Sequence, residues 1–588
     1  MAKDTTEKKF RKGDILILFA QFVIAFLLFE LNHLTGLVLN RGDYTPFSGS
    51  SNVSAQVYDQ GQLYIPGPQR FARESKTYYE MDVWELRETV NGYPTLHIWL
   101  FGWFAKSIGS LETVWMLFNG LLPACQWFLV FLILPKFASL SIRSLTAWGV
   151  VLFAFGPRNL LLLGKYALIQ PLEATRMPQP ALSFLVLLVA IGLVSYALER
   201  QGPCGWVWAV LAGFASGLCF YSYYFYWLGL FLGLGSLCLL SLRFSPMASL
   251  RLCVVLVVGC IVGSPFIWRI IQAQRFGTQR PLLERVGGFH HSVDFTGILL
   301  ALTLIVLLLW MIKRLKDFVS MGGLIMGDWL PLILASVLLG GAFGLNFQLV
   351  SGYDAQHGHF WNRLIQPIGL LLAAIELISI LKRFSLSNQI LINKAAIVGC
   401  LIMITLGAFR QAKVGESTKE DHRYSRPVNQ VLVWLRENVP PESVVGSLDS
   451  ELIALTPGVA GTWCFVPVGD RSVATDREIL TRAVIAGWLE SRTKNDLVNY
   501  LTNRSYDKPS WHYPSYFLLL LQGPVPSKIL LELQELIDNV DPSLPLGGRR
   551  LDYYVIPSSC SFKRLGEAFP KARMTFKNSD WLIFELNS

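Results

Sequence analysis

The chain has 588 residues, 52% of them hydrophobic and 16% charged, with a mean hydropathy of +0.42. Soluble chains average about 25% charged residues, so this shortfall excludes a disordered chain, a coiled coil and an ordinary cytosolic enzyme. The net charge of +10 does not mark a nucleic-acid binder: residues 1–410 carry 31 Lys/Arg against 20 Asp/Glu and residues 411–588 carry 20 against 21, whereas a nucleic-acid-binding domain concentrates positive charge on a soluble unit.

A helix needs about 20 mostly apolar residues to cross a bilayer. Such runs lie near 14–36, 113–135, 144–157, 180–198, 205–222, 224–242, 249–271, 295–312, 329–349, 364–381 and 391–409, which predicts about eleven transmembrane helices. Sixteen Lys/Arg, among them Lys8, Lys9, Arg11, Arg143, Arg251, Lys313 and Arg314, fall on one side of these spans against six acids. The positive-inside rule makes that side cytoplasmic. An odd span count then places residues 411–588 outside, as expected of a multi-pass integral membrane protein. Segment 14–36 is too long for a signal-peptide core and lacks a small-residue cleavage site, so it reads as a span. Six of the nine cysteines lie within spans as small apolar filler. Cys464 and Cys560 fall in the exported part, where a disulfide is permitted.

The first outer loop, 37–112, is the longest. Asn40 to Phe47 is rich in turn formers and 48–70 reads as irregular. Tyr78 to Glu88 has the pattern of an amphipathic helix, broken at Gly92-Tyr93-Pro94. Thr95 to Ile108 is apolar but too short to span; its Trp99, Phe101, Trp103 and Phe104 suit a helix lying in the membrane interface. Acids crowd the loop (Asp43, Asp59, Glu74, Glu80, Asp82, Glu85 and Glu88), and pairing with Arg70, Arg73, Lys76 and Arg87 on a solvated face accounts for most. Asp43, just after the first span, and Glu80 and Asp82, flanked by aromatics, stand apart. A carboxylate held at the membrane surface is what a general base or a metal ligand needs.

Facing them across the short outer loops are Arg158, Lys165, Arg176, Arg275, Arg280, Arg285 and Arg363. The positive-inside rule depletes such residues outside unless they are used. Arginine suits bidentate phosphate recognition and lysine acts as a point charge, so together they can hold a lipid phosphate. Pairing with Glu173, Glu284, Asp294 and Asp354 is the plain alternative. Before the tenth span, Asp354, His357 and His359 could ligate a metal; the spacing is unspecific, and hydrogen bonding of the two histidines to sugar or phosphate is the preferred reading. Glu30, His33, Arg269 and Glu376 are ionisable groups within spans, which are functional candidates by default.

From 426 onward helix and strand alternate as in a small α/β domain. A helix is predicted from Pro427, a strand over 443–448, and a helix capped by Asp449. Strands follow at 462–468, 514–521 and 551–556, a helix at 527–539, and a closing hairpin around Asn578 to Asp580. No phosphate loop, Ser-His-Asp spacing or cysteine metal pattern occurs there, which suits a structural or acceptor-guiding role. The chain thus divides into a polytopic membrane domain, 1–410, and a soluble exocytoplasmic domain, 411–588.

The order of these parts resembles bacterial membrane glycosyltransferases of the GT-C superfamily, which use polyprenyl-phosphate sugars. The resemblance covers nearly the whole chain. It rests on one span followed by an acid-bearing loop with Tyr79-Glu80-Met81-Asp82, then Gly92-Tyr-Pro-Thr-Leu-His-Ile-Trp99 before a surface helix. Arg176-Met-Pro-Gln-Pro180 before the fourth span, Tyr221-Ser-Tyr-Tyr-Phe-Tyr-Trp227, and a terminal α/β domain with Asp552-Tyr-Tyr-Val555 complete it. It implies a mainly α GT-C-like bundle with a C-terminal exocytoplasmic α/β domain. The implied activity is inverting transfer of a sugar from a polyprenyl-phosphate lipid to an exocytoplasmic glycan, lipid or protein acceptor, with no nucleic acid involved. Asp43 matches the superfamily's catalytic acid by location, and Glu80 and Asp82 match an acid pair by pattern. No acid pair follows the first span directly, a departure from the superfamily. A divalent cation, Mg or Mn, serves some members and not others. A lipid-linked glycan polymerase or ligase, a transporter and a non-catalytic scaffold are the alternatives, although no internal repeat points to transport.

Overall fold

The structure is a computed structural model that describes residues 12–40, 44–47, 64–153, 172–320, 329–419, 422–498 and 527–586, with breaks of one to six residues inside these ranges. Asp43, Arg158, Lys165, His357 and the strand expected at 514–521 lie outside the described residues.

The chain is mainly helical, and each of the eleven apolar runs falls on a helix. The first is α1 (Lys12–Asn40). Two short helices of the first loop follow, α2 (Pro66–Glu74) and α3 (Leu96–Ile108). The bundle continues with α4 (Leu111–Ile133), α5 (Leu140–Phe153), α6 (Ala181–Glu199), α7 (Pro203–Leu218), α8 (Tyr224–Phe244) and α9 (Pro246–Arg275). It closes with α10 (Gly297–Ser320), α11 (Trp329–Gly344), α12 (Gln366–Leu381) and α13 (Leu386–Ser417). Among the described residues eight helices are long and apolar enough to cross a membrane. The helices α5 and α11 are apolar but have 14 and 16 residues.

The short helix α11 is buried along its length except at Phe343. A helix that is apolar all round belongs in the middle of a bundle, and small residues let its backbone approach α8. A Cβ at Gly340 would overlap the carbonyl oxygen of Gly229, and one at Gly233 that of Ser336. Such close approach through small residues is how helices associate in lipid, where apolar burial alone gives no preference.

The C-terminal part holds α14 (Arg426–Asn438), α15 (Ser450–Leu455), α16 (Asp476–Leu489), α17 (Ser527–Asp538) and α18 (Lys563–Ala568) around a mixed sheet. A two-residue pair, β1 (Gly288–Phe289) with β2 (Tyr353–Asp354), lies outside that sheet. The sheet has β3 (Val444–Gly446), β4 (Trp463–Cys464), β5 (Tyr553–Pro557), β6 (Arg573–Lys577) and β7 (Trp581–Glu585), in the order β4-β3-β5-β7-β6. The β3 strand runs parallel to β4 and β5, while β5, β7 and β6 are antiparallel, with Tyr554 opposite Phe584. Asp449 caps α15 by accepting the amide of Leu452 at 3.0 Å. Cys464 and Cys560 are both free thiols.

Three local expectations are corrected. Residues 78–88 do not form an amphipathic helix; only Trp84–Leu86 make a single 3-10 turn. Glu80 explains the failure, because its Oε1 accepts the amides of Asp82 and Val83 at 3.0 and 3.1 Å and so competes with helical hydrogen bonding. Residues 66–70, expected to be irregular, open α2, whose prolines sit in the first turn where no amide is needed. The helix α16 was not expected, although Thr475 caps it through the amide of Glu478.

The first loop is clamped between bundle and sheet. Phe47, Ile65, Phe101 and Trp115 share one core with Val431, Leu432, Leu455 and Ile583. Arg70 stacks over Trp463 at 3.6 Å and donates to the Thr462 carbonyl at 2.8 Å.

Candidate functional site

The residues of interest converge where three chain segments enter helices at the end of the bundle that carries the first loop. The first is the turn before α6. Thr175 ties it back to the Leu172 carbonyl at 2.7 Å, and Gln126 from α4 holds the Ala181 carbonyl at 2.7 Å. This leaves Arg176 buried, 8% exposed. The second is the extended residue Tyr223 between the Cys219–Tyr221 turn and α8. Gln179 joins the two segments by donating to the Ser222 carbonyl at 3.1 Å while accepting from Tyr64 at 3.0 Å.

The third is Phe360–Ile365, one π-helical turn at the head of α12. Wide turns of this kind often occur at functional positions. Here the turn seats Phe360 edge-on to Phe225, with ring centres 4.8 Å apart, and directs Arg363 inward. Arg363 is 5% exposed. Its Nη1 donates to the Tyr223 hydroxyl at 2.8 Å, and that hydroxyl lies 2.9 Å from His359 Nδ1.

Tyr223, half-buried His359 and buried Arg363 thus form one hydrogen-bonded group, and the buried Arg176 guanidinium lies within the electrostatic reach of Arg363 and Tyr223. Burial first, then the charge of Arg363, pushes the Arg176 guanidinium well below the ordinary arginine value, with Tyr223 opposing. Burial, then Arg363 and Arg176, holds His359 well below the usual imidazole range. A neutral imidazole can accept the Tyr223 proton at Nδ1 while the tyrosine oxygen accepts from Arg363, which places the ring proton on Nε2. The result is a positively charged cluster with a hydroxyl and an imidazole at its centre, suited chemically to an oxyanion.

Not every buried arginine in this bundle has that character. Arg143 donates to the Phe131 carbonyl at 2.6 and 3.2 Å, and Arg251 donates to the carbonyls of Ala197 and Arg200. These two satisfy helix C-termini, where cations are favoured.

Beside the cluster runs an aromatic wall. Tyr64, Tyr93 and His97 pack with ring centres 5.5 to 6.3 Å apart, and Trp99 meets Tyr221 at 5.5 Å. The Gly92–Thr95 turn is clasped from outside: Gln279 accepts the Gly92 amide at 3.1 Å, Thr278 donates to the Val90 carbonyl at 2.8 Å, and Arg269 donates to the Tyr93 carbonyl at 2.5 Å. Arg269 therefore holds the loop, and Glu376 pairs with Arg314 at 3.6 Å.

The other sequence candidates lie apart. Glu80 is fully buried, and its carboxylate accepts three backbone amides, from Asp82, Val83 and, at 2.7 Å, Val473 of the C-terminal part. Burial, then Asp82, raises its pKa against those amides. Asp82, also buried, accepts the Cys464 amide on its backbone carbonyl at 3.0 Å. Arg275 is exposed. Arg280 pairs with Glu284 at 2.8 Å, with their side chains 75% and 51% exposed. Among the described residues no three His, Cys, Asp or Glu side chains come together as a metal site. Of the outer cations and histidines, the structure brings together Arg176, His359 and Arg363. Tyr223, at their centre, was not among the site residues expected, although it lies in the aromatic run 221–227 that carried part of the resemblance.

No family model matches the chain, and no curated protein matches it. Among solved structures it is similar to ArnT from Cupriavidus metallidurans bound to undecaprenyl phosphate, at 11% identity and a TM-score of 0.44 over 98% of each chain. It is also similar to ArnT from the same organism in the apo state, at 10% identity and a TM-score of 0.49 over 97% of each chain.

Proposed function

We propose that the chain is an integral-membrane glycosyltransferase that takes its sugar from a polyprenyl-phosphate lipid, with the first loop and the sheet on the exocytoplasmic side. The observation that carries this reading is the convergence of Arg176 and Arg363 on Tyr223 and His359 at the head of the bundle. A polyprenyl-phosphate sugar is a phosphodiester with one negative charge, and it leaves as a phosphomonoester carrying up to two. Cations placed at that phosphate therefore stabilise the transition state more than the ground state.

In this reading the Arg176 and Arg363 guanidinium groups hold the phosphate, and the Tyr223–His359 pair orients Arg363. Asp43 of the first loop serves as the base that removes the acceptor hydroxyl proton. The oxygen then attacks the anomeric carbon from the face opposite the leaving phosphate, inverting it. Glu80 has its carboxylate engaged by three amides, and its role and that of Asp82 are to hold the loop to the C-terminal part. A divalent cation is not required by this scheme.

The test is sugar transfer from a polyprenyl-phosphate lipid by purified protein in lipid nanodiscs. Arg363→Gln should lose about 10²–10³ in rate, the usual cost of removing one stabilising group from a developing oxyanion. Full activity in Arg363→Gln and Arg176→Gln would remove the assignment. The same Arg–His–Arg grouping favours one other reading, a glycan polymerase or ligase that uses pyrophosphate-linked lipids. Loss of activity in Arg363→Gln with full activity in Asp43→Asn would select it.

A further inference from the structure

A polar cavity of about 590 Å³ lies where α2, α3, the start of α4 and α14 meet. That volume is in the range of small-molecule sites, roughly 300–1,000 Å³. Its wall includes Gln69, Arg73, Lys106, Ser110, Glu112 and Arg436, and none of the Arg176 group.

The wall carries three cations and one carboxylate. Glu112 is engaged on both oxygens, by Arg436 Nη1 at 3.1 Å and by the Ser110 hydroxyl at 3.0 Å. Lys106 donates to the neutral Ser75 hydroxyl at 2.6 Å. Arg73 donates to the carbonyls of Ala460, Arg436 and Val439, also neutral. Those hydrogen bonds fix Lys106 and Arg73 without cancelling their charge, whereas Glu112 offsets Arg436. Burial pushes the Arg73 guanidinium down, Glu74 opposes and Arg436 adds to it, as expected where cations face one another.

The helix that supplies Lys106 also shows where the cavity lies. Trp99, Trp103 and Ile108 of α3 are 37%, 58% and 46% exposed. Trp99, Trp103 and Lys106 are four and three residues apart, so they share one helix face. Exposed tryptophans beside a lysine mark a helix at the level of lipid headgroups.

We propose that this cavity binds the phosphate-bearing headgroup of a lipid in the adjoining leaflet. Arg73, Lys106 and Arg436 meet the phosphate, and Gln69 and Ser110 are placed for the hydroxyls of a headgroup sugar or glycerol. The lipid is either a bulk anionic phospholipid or a phosphorylated glycolipid, and the chemistry read is the same. The proposal is independent of sugar transfer.

The test measures binding of short-chain phosphatidylglycerol and phosphatidylcholine to full-length protein in neutral detergent by calorimetry. All measurements use the Arg176→Gln/Arg363→Gln background, which removes both guanidinium groups of the phosphate site proposed above. Phosphatidylglycerol should bind and phosphatidylcholine should not. Lys106→Gln should weaken phosphatidylglycerol about fivefold, the usual effect of one cation at an anionic lipid surface. Glu112→Gln removes the only carboxylate in the wall and should tighten binding by a similar factor. Opposite signs in two variants of one wall cannot come from a general loss of folding. Equal binding of the two lipids, or weaker binding in Glu112→Gln, would overturn the site. Inorganic phosphate competing as well as phosphatidylglycerol would overturn the assignment to lipid.

Discussion

Two buried groups of charge lie at the same end of the molecule and are built in opposite ways. Around Glu80 the carboxylate is engaged by three backbone amides from two parts of the chain, against the charge of the neighbouring Asp82. Around Tyr223 two guanidinium groups from separate helix heads come together in one place, and their charges oppose each other. The first arrangement supplies hydrogen-bond partners from the backbone itself, which offset part of the cost of burial. The second brings two charges of one sign together, which burial and mutual repulsion disfavour. A carboxylate tied to the backbone of two chain segments holds the fold, whereas guanidinium groups from separate helix heads brought to one place are what the proposed phosphate site uses.

The sharpest way to break this contrast is to exchange the behaviour of the two groups. Arg363→Gln should reduce transfer by about 10²–10³ and leave the thermal midpoint nearly unchanged or raised, because it removes like-charge repulsion. Arg363→Lys should recover part of the rate, since lysine restores the charge but not the bidentate fork. A variant that unfolds while the remaining folded fraction keeps its rate would put Arg363 in the same class as Glu80.

Glu80→Gln should do the reverse. The amide side chain can still accept from one end, but its NH2 would face the Val473 amide, so a loss of about 1–3 kcal/mol in stability is expected. Transfer per folded molecule should stay near that of the parent. Its pH dependence has a definite sign. The Glu80 pKa is raised above 4.5 in the fold, so the native state holds the proton longer than the unfolded chain does. The contribution is present below pH 4.5 and is lost as pH rises through the folded value. Denaturation at several pH values should show that fall in the parent and not in Glu80→Gln. A hundredfold rate loss with intact folding would instead make Glu80 the base.

How much of this was legible in the sequence follows from what each signal measures. Apolar runs report lipid contact, and all eleven fall on helices, including α11, whose burial no run length reveals. The positive-inside exceptions isolated seven outer cations and the 354–363 segment added two histidines, yet the structure joins Arg176, His359 and Arg363 and leaves Arg275 and Arg280 exposed. Pairing of that kind depends on which helix heads adjoin, and sequence spacing carries no trace of it. Tyr223 shows the limit most clearly, because an aromatic run at a helix start reads the same for a packed ring as for one whose hydroxyl binds an arginine. The failed helix at 78–88 has a local cause, since Glu80 supplies the helical periodicity and its carboxylate then takes the amides the helix would need.

A smaller effect tests whether the junction between membrane part and tail is protonation-sensitive. His422 is buried, donates from Nδ1 to the Thr45 carbonyl at 3.1 Å, and packs against the rings of His33 and Tyr44. A carbonyl only accepts, so Nδ1 carries the proton in the neutral ring. Burial lowers the His422 pKa from 6.5 to about 4, against the Thr45 hydrogen bond. The stabilisation is therefore complete above pH 6.5 and is lost as pH falls through about 4, with roughly 1–2 kcal/mol gone by pH 5. The opposite slope to that of Glu80 means the two can be separated in one titration. His422→Gln should flatten the acid limb while leaving the Glu80 limb in place.

The smallest expected effect concerns Arg280, which the sequence placed in the same class as Arg363. Its guanidinium lies 2.8 Å from Glu284 one helical turn away, with both side chains more than half exposed. Exposed pairs at this spacing contribute about 0.3–0.5 kcal/mol, screened further by salt. Arg280→Gln should therefore shift stability by no more than that and change transfer by less than about twofold. Measured beside Arg363→Gln at the same ionic strength, it separates two explanations of a cation on this face. If long-range attraction of an anionic lipid were the use of these residues, exposed and buried arginines would both matter and raised salt would erase the difference. If contact with a phosphate is their use, Arg363 alone carries the effect, and salt leaves the gap between the two variants standing.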